Sequence, residues 1–201
     1  MMARALRAAA PGTAPQDPLK RIDLAHAQKA RLCDIVEGIA DALPNPSPLT
    51  CNRAAQILAE DLPLHHADED LGLFPLLSRH CLPEDRIEEA IGQLSREHVD
   101  DEAALEEVVS LLKELGAGRV PGMGYDAAGF VLRAFFEATR RHLAWEESTI
   151  MPLARLRLGP DALECLNGVM EKNRLGLPYD AVTRFGCGDT AGTDTEGDAR
   201  H

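Results

Sequence analysis

Four stretches of this chain place apolar residues at the three-, four- and seven-residue steps of a helix face, and each stripe is interrupted by a histidine. The first runs Leu19, Ile22, His26, Cys33, Val36, Ala40 and Leu43, and the second Leu58, Leu62, His65, Glu69, Leu73 and Leu76. The third runs Ile87, Ile91, Leu94, His98, Leu105, Val108 and Leu112, and the fourth Val131, Phe135, Ala138, His142, Glu146 and Ile150. Breakers separate them: Pro44 to Pro48, then Gly116, Gly118, Pro121, Gly122 and Gly124, then Gly159-Pro160. Leu82-Pro83-Glu84-Asp85 reads as the start of the third helix, with Pro in the first turn and acids against the positive dipole end. Nothing alternates with the period of a strand. The expected architecture is therefore all-α, an up-down-up-down four-helix bundle over residues 18–158 with a short accessory helix over 159–174. Residues 1–17 read as a flexible arm and 175–201 as a disordered acidic tail, where Asp189, Asp194, Glu196 and Asp198 are followed only by Arg200 as a base.

A helix rises about 1.5 Å per residue, so heights in an antiparallel bundle can be compared directly. His65 to Arg79 and Glu84 to His98 are each 14 residues, and His98 to Leu115 and Asp126 to His142 are 17 and 16. His26 to Leu43 and Leu49 to His65 are 17 and 16. All four histidines should meet at one level, which core packing alone does not demand.

Composition narrows the partners. Lys and Arg total 21 against 33 Asp and Glu, a net charge of −12 that repels phosphate backbones and anionic lipid. No apolar run reaches the roughly 18 residues of a membrane span, and no apolar h-region follows Arg4 and Arg7. Aromatics are 4% of the chain, so the core must be aliphatic. Five cysteines, Cys33, Cys51, Cys81, Cys165 and Cys187, are scattered without a CxxC, which fits a reduced, cytoplasmic setting.

Two of the histidines bring a carboxylate on the same helical face: Glu69 follows His65 and Glu146 follows His142, both at i, i+4. Their surroundings repeat. HHADEDLGLFPLL from His65 and HLAWEESTIMPLA from His142 share His, three residues, Glu, an acid, two residues, two apolar residues and Pro. A histidine leads each copy, 39 and 44 residues upstream, so the chain reads as two helical hairpins, each with a His and then a His-x-x-x-Glu pair. Facing His and Glu side chains in a bundle core are the ingredients of a dinuclear carboxylate site. Buried carboxylates resist ionisation without a cation, and two metals sharing both glutamates, with two imidazoles each, would resolve that. Mixed N/O ligation without Cys favours Fe or Mn over structural Zn, and spacing by itself does not separate the three.

The doubled motif with a leading His in each half resembles the hemerythrin-like HHE cation-binding family, over Lys20 to about Leu158. That resemblance implies a non-haem centre of two Fe ions held by His26, His65, Glu69, His98, His142 and Glu146. It implies a small diatomic ligand or peroxide as partner, at an open iron position, for sensing, scavenging or iron-centre maintenance. An iron storage or delivery protein without gas chemistry, and a metal-free helical interaction module, are the alternatives; no catalytic residue is assigned. Oxygen-carrying hemerythrins have a fifth His one turn from that of the third helix, where this chain has Glu102 on one side of His98 and Leu94 on the other. The set of four His and two Glu is closer to the di-iron proteins that repair iron centres, although their Cys-containing N-terminal segment has no counterpart in residues 1–17.

Among neighbouring residues, His66 lies about 100° round the helix from His65 and is expected at the surface or boundary. His80 is too far along the helix to join the set. Asp70 and Glu147 are placed to orient imidazoles or are equally ordinary surface acids, and Glu102 reads as a ligand, an orienting partner or a solvated acid. Cys33 and Cys51 read as small core residues, Trp145 as packing, and Pro75 and Pro152 as matched kinks at the bundle end. Tyr125 and Tyr179 lie away from the cluster.

Overall fold

The structure is a computed structural model that describes residues 17–176. The expected N-terminal arm before Asp17, the acidic tail from residue 177 onward and Tyr179 lie outside the described residues. Seven α-helical segments follow one another: α1 (Pro18–Asp41), α2 (Pro48–Asp68), α3 (Phe74–His80), α4 (Ile87–Gly116), α5 (Tyr125–Trp145), α6 (Met151–Arg157) and α7 (Pro160–Leu175). Two π-helical turns, Glu69–Leu73 and Glu146–Ile150, weld α2 to α3 and α5 to α6. The bundle therefore has four long members, α1, α2–α3, α4 and α5–α6, and no strand occurs among the described residues.

Local chemistry starts the first two helices. The Asp17 carboxylate accepts from the Leu19 amide at 3.0 Å ahead of Pro18 at the first helical position. Ser47 does the same for Thr50 ahead of Pro48. The third helix starts later than expected. Pro83–Asp85 is a separate 3-10 turn, Arg86 takes a left-handed conformation at φ 50°, and α4 begins at Ile87. The reason lies in Asp85: its carboxylate accepts from the Leu82 amide and from both Nε and an Nη of Arg157, all at 2.8 Å, and so anchors the turn to the end of α6.

The two π turns explain the matched prolines. Pro75 and Pro152 have no N–H, and their rings crowd the carbonyls of Leu71 and Ser148 four residues back. The preceding turn widens by one residue, so that the Phe74 amide donates to Glu69 O and the Met151 amide to Glu146 O. Each widened turn begins at the glutamate of a His-x-x-x-Glu pair.

α2 lies along α4 and α1 along α5, and α1–α2 and α4–α5 contacts close the ring. Three arginines on α5 and α6 pair with acids on α1, Arg133 with Asp41, Arg140 with Asp34 and Glu37, and Arg155 with Asp23. Such exposed pairs add little energy each but agree with one antiparallel register. The core divides in two. One apolar compartment is built around Val36, Cys51, Leu58, Leu112, Leu132 and Phe136, the other around Ile22, Leu73, Leu77, Leu94, Ile150 and Leu166. Along every long helix the residues between the two compartments are the histidines and glutamates. The fourth stripe sits slightly off its expected position, with Leu132, Phe136 and Thr139 buried and Val131 and Ala138 at the margin.

α7 lies across the π turn at Gly72. Its Leu166, Val169 and Met170 are buried, and a Cβ on Gly72 would sit 2.8 Å from Leu166 Cδ1 and 3.2 Å from Val169 Cγ1. Arg174 and Asn173 bind the buried Asp68 carboxylate at 2.9–3.2 Å. The helix runs one residue past the expected 174, to Leu175, where Gly176 supplies the left-handed cap at φ 65°.

Candidate metal centre

The polar layer between the compartments contains His26, His65, Glu69, His98, His142 and Glu146, each no more than 5% exposed and both glutamates at 0%. α1 supplies His26, α2 with its π turn His65 and Glu69, α4 His98, and α5 with its π turn His142 and Glu146. Every imidazole turns Nε2 toward a carboxylate. His65 Nε2 is 3.1 Å from Glu69 Oε2, and His26 Nε2 is 3.4 Å from both Glu69 Oε1 and Glu146 Oε2. His142 Nε2 is 3.0 Å from Glu146 Oε1, and His98 Nε2 is 3.5 Å from Glu69 Oε2 and 4.0 Å from Glu146 Oε1. Ligand-type atoms of His26, His65, Glu69 and Glu146 lie within 4.8 Å of one another, as do those of His98, His142 and Glu146. Glu146 is common to both groups.

The outer ring nitrogens on one side are held by acids. Asp70 sits 2.7 Å from His98 Nδ1 and is itself bonded by Ser95 Oγ at 2.7 Å, and Glu97 sits 2.9 Å from His142 Nδ1. Carboxylates only accept, so each Nδ1 carries a proton and each Nε2 faces inward. His98 Nε2 and His142 Nε2 then face each other at 3.2 Å. A positive charge, whether a proton or a metal ion, has to lie among these two nitrogens and Glu146 Oε1, which is 3.0 Å from His142 Nε2. The same demand comes from Glu69 Oε2, Glu146 Oε2 and His65 Nε2, which are buried without a hydrogen bond. The short His65–Glu69 distance thus lacks hydrogen-bond alignment: the atoms point to a common space rather than at each other.

Burial sets the electrostatics. It pushes the Glu69 carboxyl well above its ordinary range, and the neighbouring Glu146 adds to the shift. Burial acts on Glu146 in the same sense but is outweighed by the His142 hydrogen bond and the Lys29 and His142 charges, which hold it down at about 2. His26 is pushed down to about 4 and His65 further, each chiefly by burial, which keeps both imidazoles neutral and free to donate a lone pair. A cation placed among these groups relieves two buried carboxylates at once, and the cluster fits a metal site.

Several expectations need correction. His66 is not at the surface: it is 1% exposed, its ring stacks on His98 at 4.0 Å between centroids, and neither ring nitrogen has a hydrogen bond. α2 is covered by α4 on one side and α1 on another, so two adjacent helix positions can both be interior. His66 and Phe74 sandwich the His98 ring, and burial drives the His66 pKa down to about 2. Asp70 does orient an imidazole, but Glu147 is exposed and its expected role falls to Glu97. Glu102 is exposed, which removes it as a ligand; the inward-turned acid past His98 is Asp101, whose carboxyl burial pushes up. His80 is exposed, Trp145 packs at the margin of one compartment, and Cys33 and Cys51 are buried in the other. Lys29, one turn past His26, went unremarked: it is 8% exposed and its Nζ makes no hydrogen bond. Its i, i+3 spacing from His26, which places both on one helix face, was the signal for it.

A four-membered helical bundle with a buried layer of imidazoles and bridging-capable carboxylates defines a cation-binding bundle as its class. The family described as Hemerythrin HHE cation binding domain matches residues 17–154, more than two-thirds of the chain, and the chain belongs to that family. The match ends before α7, which lies outside it. No curated protein matches the chain. Among the described residues no helix is long and apolar enough to cross a membrane.

Proposed function

We propose that the chain is a non-haem di-iron protein in which His26 and His65 hold one ion, His98 and His142 the other, and Glu69 and Glu146 lie between them. The observation that carries this reading is the pair of glutamates at 0% exposure with unpaired Oε2 atoms, ringed by inward-facing imidazole Nε2 atoms. Six protein donors leave coordination positions over on ions that take five or six ligands, which suits a small diatomic ligand or peroxide. Iron, when bound, would supply the redox chemistry toward oxygen, nitric oxide or peroxide that sensing, scavenging or iron-centre maintenance uses. The protein's part is to orient imidazoles through Asp70 and Glu97, to keep water out with two apolar compartments, and to fix the glutamates by the π turns. Four His and two Glu without a further ligand on α4 favour a reactive centre over a pure oxygen carrier. Storage and delivery use the same donors and differ in outcome, since stored iron leaves.

The deciding experiment is metal analysis of the purified chain, followed by absorbance of the reduced, iron-loaded protein before and after oxygen. About two irons per chain, retained through a stoichiometric reaction with a new visible band, is the expected result. Iron that is released on oxidation favours storage, and no uptake at all with folding unchanged returns the chain to a metal-free bundle.

A further inference from the structure

A cavity of about 40 Å³ lies between α1, α2 and α5. Apolar groups, among them Leu32, Leu58, Leu62 and Phe135, form its walls, and exposed Gln28 and Asp61 stand at its outer end. Its polar inner end is Lys29 and His65. Of the six residues that converge in the buried layer, His65 is the one that lines it, so the cavity abuts the His26–His65 half and not the His98–His142 half. The space exceeds the roughly 10–15 Å³ that one water needs and suits a ligand of two or three heavy atoms.

Lys29 gives that space its sign. Its ammonium is buried with no hydrogen bond, and an unpaired buried charge costs several kcal/mol unless something compensates it. In the metal-free chain the compensation comes at longer range from Glu69 and Glu146, on both of which the Lys29 charge acts. Once those carboxylates face bound cations, their charge is taken up and Lys29 keeps only the longer-range Asp101 charge. Thr139 cannot serve as a second donor, because its hydroxyl donates to Phe135 O at 3.0 Å. Neither Asp101 nor the Asp61 carboxylate at the outer end hydrogen-bonds Lys29 Nζ, and the cavity is the space through which a direct partner reaches it.

We propose that this cavity binds a small anion of two or three heavy atoms, held by Lys29 Nζ beside His65. The inference rests on the di-iron reading above and narrows it: the ligand is negatively charged on arrival rather than a neutral gas. Azide is the probe, titrated into the oxidised, iron-loaded protein and followed by calorimetry and by visible absorbance. Loss of one charge-assisted hydrogen bond should weaken azide binding about ten-fold or more in Lys29→Met, with iron content and helical circular dichroism unchanged. Lys29→Arg keeps the charge and should retain most of the affinity. If the Met variant does not fold, Lys29→Gln takes its place. Ala25→Trp, at the half-buried rim, leaves Lys29 untouched and should slow azide association. Azide affinity unaltered in an iron-retaining Met or Gln variant overturns the inference and leaves the di-iron reading standing. A wild-type chain that takes up neither iron nor zinc defeats both together.

Discussion

At the scale of single residues, burial decides protonation, and protonation decides what the centre can hold. His26 illustrates the sign. Its pKa is pushed from 6.5 to about 4, mainly by burial, so between those values the unfolded chain binds a proton that the folded chain refuses. The His26 contribution to the stability of the metal-free protein is full above about pH 6.5 and declines as the pH falls toward about 4, while the raised Glu69 carboxyl contributes with the opposite sign. Urea midpoints of the chelated wild-type chain and a His26→Phe variant, each at pH 7.5 and 5, isolate this contribution: the wild type should lose more on acidification, and an equal change in both would mean that His26 protonates freely in the native state. The six converging residues were legible because helical register places His65 and Glu69, and His142 and Glu146, on one face. Glu97 and His66 were not legible. Glu97 acts across the gap between α4 and α5, on His142, and no single-helix wheel reports a partner on another helix. A wheel also assigns one inward direction, whereas α2 is enclosed on two sides and buries both His65 and His66.

At the scale of elements, the informative departures are the two π turns. Periodicity predicted four long helices and four were found, because apolar stripes at helical steps survive a one-residue widening. Pro75 and Pro152 signalled an irregularity, but its placement at the glutamates required the hydrogen bonds back to Glu69 O and Glu146 O. The start of α4 was misplaced for a related reason: Pro83-Glu84-Asp85 has the chemistry of a helix start, yet Asp85 spends its carboxylate on Leu82 and Arg157. α7 gives a direct test of element packing. Gly72→Val would drive side-chain atoms into Leu166 and Val169, and should cost about 1–3 kcal/mol while leaving metal content intact. Denaturation curves read alongside metal analysis check this; simultaneous loss of metal would show that α7 also holds the π turn in shape.

At the scale of the whole molecule, the polar layer is a weakness that a cation repairs. Glu69→Met removes a buried carboxylate whose pKa is already pushed up by burial and by Glu146. In the metal-free chain it should raise stability by about 1–3 kcal/mol, and it should also abolish any stabilisation that added iron gives on the proposed reading. Thermal melts of both proteins with chelator and with ferrous iron provide the comparison. A metal-free variant less stable than its parent would mean that Glu69 contributes packing that Met cannot replace.

The connection from Cys81 to Arg86 is short, and it divides the donors evenly: His26, His65 and Glu69 precede it, and His98, His142 and Glu146 follow. Neither half has a complete set. Two copies that straightened this connection and traded halves would rebuild two full layers, each composed of both polypeptides, with every contact between α1 and α5 and between α2 and α4 preserved in exchanged form. Intertwined dimers and closed monomers would then carry the same donors per chain, so metal stoichiometry would be blind to the exchange, and only hydrodynamic size would reveal it.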